Sequence, residues 1–195
     1  MLHILFVCCA YLIGSVPVGV LLARIKGKDP RKTGSGNIGA TNVMRSAGKG
    51  LGIMTLFCDV LKGFLPVFIA IEQGDPHMFV ALVGLAVFLG HIFPVFLKFK
   101  GGKGVATAAG VYLAIAPMTL LICFVLFVVV FLTWRYVSVG SLAGTGVMPI
   151  ALFALKAPLA YCLLSVALGL CIYIKHKENI RRLFAGRENK ISFSK

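Results

Sequence analysis

Long apolar runs separated by short basic loops set the pattern of this chain. Residues 2–23, 51–71, 78–97, 137–155 and 157–174 are each about 20 residues long and nearly free of charge. That length crosses a hydrocarbon core of roughly 30 Å. Residues 105–134 form a longer apolar run. As a single helix it would extend about 45 Å, well beyond the bilayer core. Two shorter helices turning near Ala116-Pro117 are the alternative, with Thr107 and Gly110 permitting close packing. Gly14, Pro17 and Gly19 predict a kink or close contact in the first span.

Charge decides between the two arrangements. The loop at 24–50 is placed in the cytoplasm, and Lys62, inside a span, is left aside. Two helices in 105–134 then put 18 Lys/Arg on the cytoplasmic side and only Lys156 outside. One helix would leave 11 inside and 8 outside. The excess of cations in cytoplasmic loops favours the first. The predicted fold is therefore an all-α polytopic membrane protein with seven transmembrane helices, its N-terminus outside and its C-terminus cytoplasmic. Four polar elements would share the cytoplasmic face: the loop at 33–45, the loop at 98–104, the segment 135–141 and the tail at 175–179.

The totals agree with this reading. The chain has 195 residues, 59% hydrophobic and 13% charged, which does not suit a soluble domain. One membrane-embedded domain over residues 1–195 is expected. The net charge of +14 would suggest nucleic acid in a soluble protein. Here the cations flank spans, so contact with anionic headgroups accounts for them and no nucleic-acid partner is expected. Cys8, Cys9, Cys58, Cys123, Cys162 and Cys171 lie in apolar segments without metal-ligand spacing, so neither a disulfide nor a metal site is implied. Residues 1–23 lack the basic start of a signal peptide and are expected to remain as the first span.

The chemistry-bearing stretch is Thr33-Gly-Ser-Gly-Asn-Ile-Gly-Ala-Thr-Asn42, with Arg45 behind it. Its G-x-G-x-x-G spacing is not read as a dinucleotide motif, because no strand precedes it and a span follows. Gly34, Gly36 and Gly39 would let the backbone approach an anion. Ser35, Asn37, Thr41 and Asn42 offer donors, and a helix opening near Thr41 would add a positive dipole end. The plain alternative is a flexible loop with capping residues. A second basic loop, Lys98-Phe-Lys-Gly-Gly-Lys-Gly104, is no Walker motif, since no Ser/Thr follows the lysine. Its glycine framing singles out Lys103.

Other residues keep two readings. His91 is a packed histidine or a structural support near the site. Ser138 and Ser141 are helix caps or site donors. Asp59 and Lys62, three apart on one helix face, are a neutralising pair or an intramembrane functional group. His176 and Asn179 share a face of a helical continuation of the last span or lie in a solvated turn.

Taken together, Gly34-Ser-Gly-Asn-Ile-Gly-Ala-Thr-Asn42, Gly90-His-Ile-Phe-Pro-Val-Phe96 running into Phe99-Lys-Gly-Gly-Lys-Gly-Val-Ala-Thr107, Arg135-Tyr-Val-Ser-Val-Gly-Ser141 and His176-Lys-Glu-Asn-Ile180 closely resemble the bacterial acyl-phosphate:glycerol-3-phosphate acyltransferase family. The resemblance follows the whole chain in motif order. It implies a seven-helix inner-membrane enzyme that makes lysophosphatidic acid from acyl phosphate and glycerol 3-phosphate, without acyl-CoA or acyl carrier protein. The His-x4-Asp motif of other glycerolipid acyltransferases is absent from the family and from this chain. By resemblance, Ser35, the glycine-rich segment and Lys103 hold phosphate, and Arg45, Ser141, His176 and Asn179 complete the polar site around glycerol 3-phosphate. Gly140 departs from the Ala or Ser expected there. No cofactor is implied. The expected partners are the two substrates and membrane lipids, and the chain is expected to act as a monomer with its site on the cytoplasmic face.

The inventory suits that reaction. Two phosphate-bearing substrates must lie close together, and cations from several loops offset their repulsion. His176 could serve as general base, while the resemblance points to the donor phosphate taking the proton. A transporter of a phosphorylated solute is the competing reading, favoured by Asp59 and Lys62 inside a span. Against it stand the clustering of candidates at one face and the lack of an internal repeat.

Overall fold

The computed structural model describes residues 2–191, and every regular element in them is helical. They form two compact units that meet in sequence at Ala116. The first contains α1 (Leu2–Ser15), α2 (Val18–Arg24), α3 (Ala40–Ala47), α4 (Lys49–Glu72), α5 (His77–Ile92), a 3-10 turn (Val95–Leu97) and α6 (Val105–Ile115). The second contains α7 (Pro117–Trp134), α8 (Val137–Ala154), α9 (Leu159–Lys175) and α10 (Lys177–Phe184).

Among the described residues, five stretches are long and apolar enough to cross a membrane, counting α1 with α2 and α5 with its 3-10 turn. Taking α9 and α10 as one span bent by 55° makes six. Large apolar side chains such as Ile4, Phe57, Leu121, Phe124 and Leu170 stand exposed, as lipid-facing positions should. The chain is a multi-pass helical membrane protein.

Proline sets several boundaries. The first span divides at Val16-Pro17, because proline has no N–H to continue the ladder. The long apolar run breaks where the sequence places it: α6 ends at Ile115, and Pro117 occupies the first turn of α7. The third span stops sooner than its hydrophobicity predicts. Residue 93 precedes Pro94 and is pushed out of helical geometry, so α5 ends at Ile92 and the chain continues as a hook. Pro66 and Pro149 are exceptions that lie inside α4 and α8, Pro66 buried.

Small residues let the helices of the first unit touch backbone to backbone, the usual packing of helices in lipid. A Cβ added at Gly14 would lie 2.0 Å from the Val87 carbonyl oxygen, and one at Gly90 2.2 Å from that of Tyr11, which locks α1 to α5. The equivalent distances are 2.2 Å from Gly63 to the Thr107 oxygen and 2.0 Å from Gly110 to the Val60 oxygen, which locks α4 to α6. Ala23, Val43, Ala47 and Leu51 form a small cluster that seats α3 against α2 and α4. In the second unit α8 packs on α7 at Gly140, where a Cβ would lie 2.9 Å from the Phe127 carbonyl oxygen. The Tyr173 hydroxyl donates to the Leu142 carbonyl at 2.9 Å and ties α9 to α8.

The α4–α6 seam is therefore expected to be intolerant of volume. Gly63→Val should lower stability by about 1–3 kcal/mol or more, read as a drop in the thermal unfolding midpoint in detergent. Gly50→Val, where a Cβ would meet nothing within 4 Å, is the control expected to stay near wild type.

Candidate functional site

The first glycine-rich loop is shaped by one buried side chain, that of Asn42. Its Oδ1 accepts the Ser35 N–H at 2.8 Å. Its Nδ2 donates to the carbonyls of Pro30 (2.8 Å), Thr33 (3.0 Å) and Asn37 (2.8 Å). The loop wraps round that amide. Gly34 has φ +61°, and a Cβ there would lie 2.2 Å from Asn42 Oδ1, so both the conformation and the space demand glycine. The Asn42 side chain is thus taken up inside the loop rather than held out for an anion.

Several backbone donors are also engaged. Gly36 N–H donates to the Thr33 carbonyl at 3.1 Å. Gly39 N–H donates to Asn37 Oδ1 at 2.8 Å. The start of α3 is organised differently. Gly39 is its N-cap, and no side chain caps it. The first N–H groups of a helix, here those of Ala40 and Thr41, carry the positive end of its dipole. Ser35 in the loop before it is half-buried, and Arg45 lies one turn further along α3 from Thr41.

The entry to the loop carries a local ion pair. Arg31 Nη2 lies 2.6 Å from Asp29 Oδ2, and Arg31 Nε donates to Asp29 Oδ1 at 2.9 Å. The hydrogen bond from Arg31 is the main cause that brings the Asp29 carboxyl down to about 2. The Arg31 charge is therefore answered within the loop.

The second loop is fitted round His91. Gly102 N–H donates to the His91 carbonyl at 3.2 Å. A Cβ at Gly101 would lie 2.1 Å from that carbonyl oxygen, and one at Gly102 2.2 Å from His91 Nε2. Gly104 caps α6 with φ +85° and its carbonyl accepts the Ala108 N–H at 2.8 Å. Lys103 is half-buried between these two fixed glycines. Of the two readings of His91, the geometry is that of a buried support for this loop.

In the second unit the candidates meet on a carboxylate that sequence reasoning did not single out. Glu188 Oε1 accepts the Ser138 hydroxyl at 3.0 Å and Asn179 Nδ2 at 2.6 Å. Its Oε2 accepts Arg182 Nε at 2.7 Å. The available signal was an acidic residue after Gly186 in a basic tail. Burial pushes the Glu188 carboxyl up, but the hydrogen bonds from Asn179, Arg182 and Ser138 outweigh it and hold the group below its ordinary value. Ser138 and Ser141 do not cap α8, whose N-cap is Tyr136 without a side-chain bond. They occupy its first turns, buried and one turn apart.

His176 forms the bend between α9 and α10 and is 3% exposed. Its Nδ1 lies 2.8 Å from the Ile172 carbonyl. A carbonyl only accepts, so Nδ1 carries the hydrogen, and the neutral ring has its lone pair on Nε2. Among the described residues, no group of three or more His, Cys, Asp or Glu is arranged to hold a metal.

Two predictions follow from these bonds. Asn42→Asp would turn an oxygen toward three carbonyls, and is expected to lower the thermal unfolding midpoint in detergent, with a loss set by about 1–3 kcal/mol per unsatisfied group. Glu188→Gln should cost a similar amount at pH 7. The Glu188 contribution is present above its unfolded value near 4.5 and lost as pH falls through the lower folded value. The difference in unfolding midpoint between wild type and Glu188→Gln should therefore close on acidification through that range.

Comparison with known proteins places this architecture. The family model described as glycerol-3-phosphate acyltransferase matches residues 4–186. The chain is 48% identical over 187 residues to the glycerol-3-phosphate acyltransferase of Geotalea daltonii, covering 96% of each. It is 50% identical to that of Geobacter metallireducens, over 97% of this chain and 98% of the relative. Crystal structures of PlsY (YgiH), an integral membrane glycerol 3-phosphate acyltransferase, superpose along nearly the full length. The glycerol 3-phosphate form gives a TM-score of 0.95 at 42% identity, and the lysophosphatidic acid form 0.93 at 41%. Each comparison covers 98% of this chain and 96% of the solved one. With both glycine-rich loops and the helices from α2 to α10 inside the matched residues 4–186, the chain belongs to the glycerol-3-phosphate acyltransferase family.

Proposed function

We infer that this enzyme transfers the acyl group of acyl phosphate to glycerol 3-phosphate, giving lysophosphatidic acid and inorganic phosphate as the first step of phospholipid synthesis. The observation that carries the reading is the full-length likeness to an acyltransferase solved with glycerol 3-phosphate and with lysophosphatidic acid. The donor is assigned from the loop motifs and from the chemistry they suit. An acyl phosphate is a mixed anhydride. The acceptor hydroxyl adds to its carbonyl carbon, the carbon–oxygen bond to phosphate breaks, and phosphate departs with the electron pair.

In this scheme Gly34, Ser35, Gly36, Asn37, Gly39 and Thr41 form a phosphate-binding wall that Asn42 shapes from inside, and Lys103 supplies a cation. Arg45, Ser141, His176 and Asn179 act on glycerol 3-phosphate. Positioning two anions against fixed donors supplies a large share of the acceleration. His176 Nε2 can accept a hydrogen bond or a proton from the acceptor hydroxyl. The departing phosphate is the other acceptor for that proton, and the family motifs favour it.

The enzyme is assigned to the bacterial inner membrane as a single domain and a monomer, with seven passes, the N-terminus outside and the site facing the cytoplasm. The cation count supports the orientation, with 18 of the 20 Lys/Arg inside. The short pass is α6, whose 11 residues rise only about 16 Å. Residues 101–104 before it have no regular structure, and Gly102 and Gly104 are buried. Irregular backbone at membrane depth is tolerable when protein covers it.

Purified protein in detergent, given palmitoyl phosphate and glycerol 3-phosphate, is expected to form lysophosphatidic acid and release phosphate in equal amounts. Palmitoyl-CoA should give no product. Product from palmitoyl-CoA and none from palmitoyl phosphate would overturn the donor assignment.

A further inference from the structure

Three ionisable side chains are buried together in the first unit. Asp59 is 2% exposed, Lys62 8% and His91 4%. Lys62 Nζ lies 2.8 Å from Asp59 Oδ1, and His91 Nδ1 lies 3.6 Å from the same oxygen. None of the three has a place in the reaction described above. Burying a charge among apolar helices is costly, and an apolar replacement of similar volume is often as stable. Their connections show a different use.

Lys62 reaches beyond its partner. Its Nζ donates to the Val16 carbonyl at 3.1 Å, in the break between α1 and α2. The same oxygen accepts the Val18 N–H at 3.0 Å, where α2 begins. From there α2 bears on the first glycine-rich loop, because a Cβ at Gly19 would lie 2.0 Å from the Ile38 carbonyl oxygen. On the other side, His91 is the residue round which Gly101 and Gly102 are wrapped. One carboxylate thus lies between a lysine fixed to the support of the first loop, at 2.8 Å, and the imidazole round which the second is wrapped, at 3.6 Å.

We propose that Asp59, acting through Lys62 and His91, is a positioning group that sets the two glycine-rich loops in register. This rests on the reading that both loops hold substrate phosphate. The cluster touches neither substrate. It fixes where Lys103 stands relative to the Ser35 loop, a separation that matters because a misplacement of about 1 Å can cost on the order of 10²-fold in rate.

The test separates register from stability. Asp59→Asn leaves Lys62 without its counter-charge and should lower both the unfolding midpoint and kcat. Asp59→Leu with Lys62→Met removes both charges at similar volume. It should recover the unfolding midpoint while kcat stays roughly 10- to 100-fold down. Should Asp59→Asn fail to fold, the double variant carries the test alone. Recovery of kcat together with the midpoint would overturn the proposal, as would a wild-type kcat in Asp59→Asn. The His91 arm is examined by His91→Asn, which keeps a nitrogen near the Nδ1 position, and His91→Phe, which does not. The first should retain most of the turnover and the second should lose it. Equal turnover in the two would overturn the link to the second loop. All rates are taken as ratios to wild type with whichever acyl donor sustains wild-type turnover. Failure of the acyl-phosphate assignment then shows in wild type and leaves the ratios intact.

Discussion

Backbone groups inside a bilayer find no water, so every interruption of a helix must be answered from within the protein. This chain interrupts its helices repeatedly, and a specific group meets each break. Lys62 covers the Val16 carbonyl between α1 and α2. The Tyr11 hydroxyl donates to the Phe93 carbonyl at 2.8 Å, where α5 ends. The Pro94 carbonyl accepts the Phe99 N–H at 2.9 Å, and the His91 carbonyl accepts from Gly102. In the tail, Ile191 N–H donates to the Arg135 carbonyl at 2.9 Å, between α7 and α8. The irregular segments are thus built as firmly as the helices. That is the condition for carrying a polar site on an apolar frame.

Close backbone approach is the second consequence. Without a hydrophobic force between helices in lipid, contact must come from packing, and glycine gives the shortest approach. The α4–α6 seam joins the helix bearing Asp59 to the helix that starts at Val105, just past Lys103 and Gly104. The α1–α5 seam ends at His91. The seams therefore run to the same residues that support the loops, and frame and site are not independent.

Much of this was legible in the sequence. Apolar length marked the runs that become five long spans, or six with α9 and α10 taken as one, and the cation count together with Ala116-Pro117 marked the division there. The spacing of His176 and Asn179 marked a helical continuation, which is α10 after a bend. The early end of α5 was obscured because hydrophobicity continues through Phe93, Val95 and Phe96 while Pro94 redirects the backbone. Glu188 was illegible for a different reason. Its partner Ser138 is 50 positions away in sequence, and a carboxylate among Arg182, Arg187 and Lys190 reads as local charge compensation. Asn42 looked like a donor for substrate because composition shows which groups can bond but not which bonds the fold has already made. The same holds for Asp59 and Lys62. Their spacing showed the pair, while His91 and the Val16 carbonyl entered only with the fold.

The first loop shows why that distinction matters for binding. Thr33-Gly-Ser-Gly-Asn-Ile-Gly is rich in donors, yet the N–H groups of Ser35, Gly36 and Gly39 are bonded within it, and Arg31 is paired with Asp29. A loop that kept all of these open would have to be ordered by its ligand, and the lost freedom would be charged against affinity. Here the ordering is completed on folding, by Asn42. Fewer donors remain, but those at the start of α3 are fixed by the fold, and fixed dipoles need no reorganisation when charge moves beside them. A neutral amide suits that organising role better than a cation or carboxylate, because it supplies both donors and an acceptor without adding a net charge to the loop.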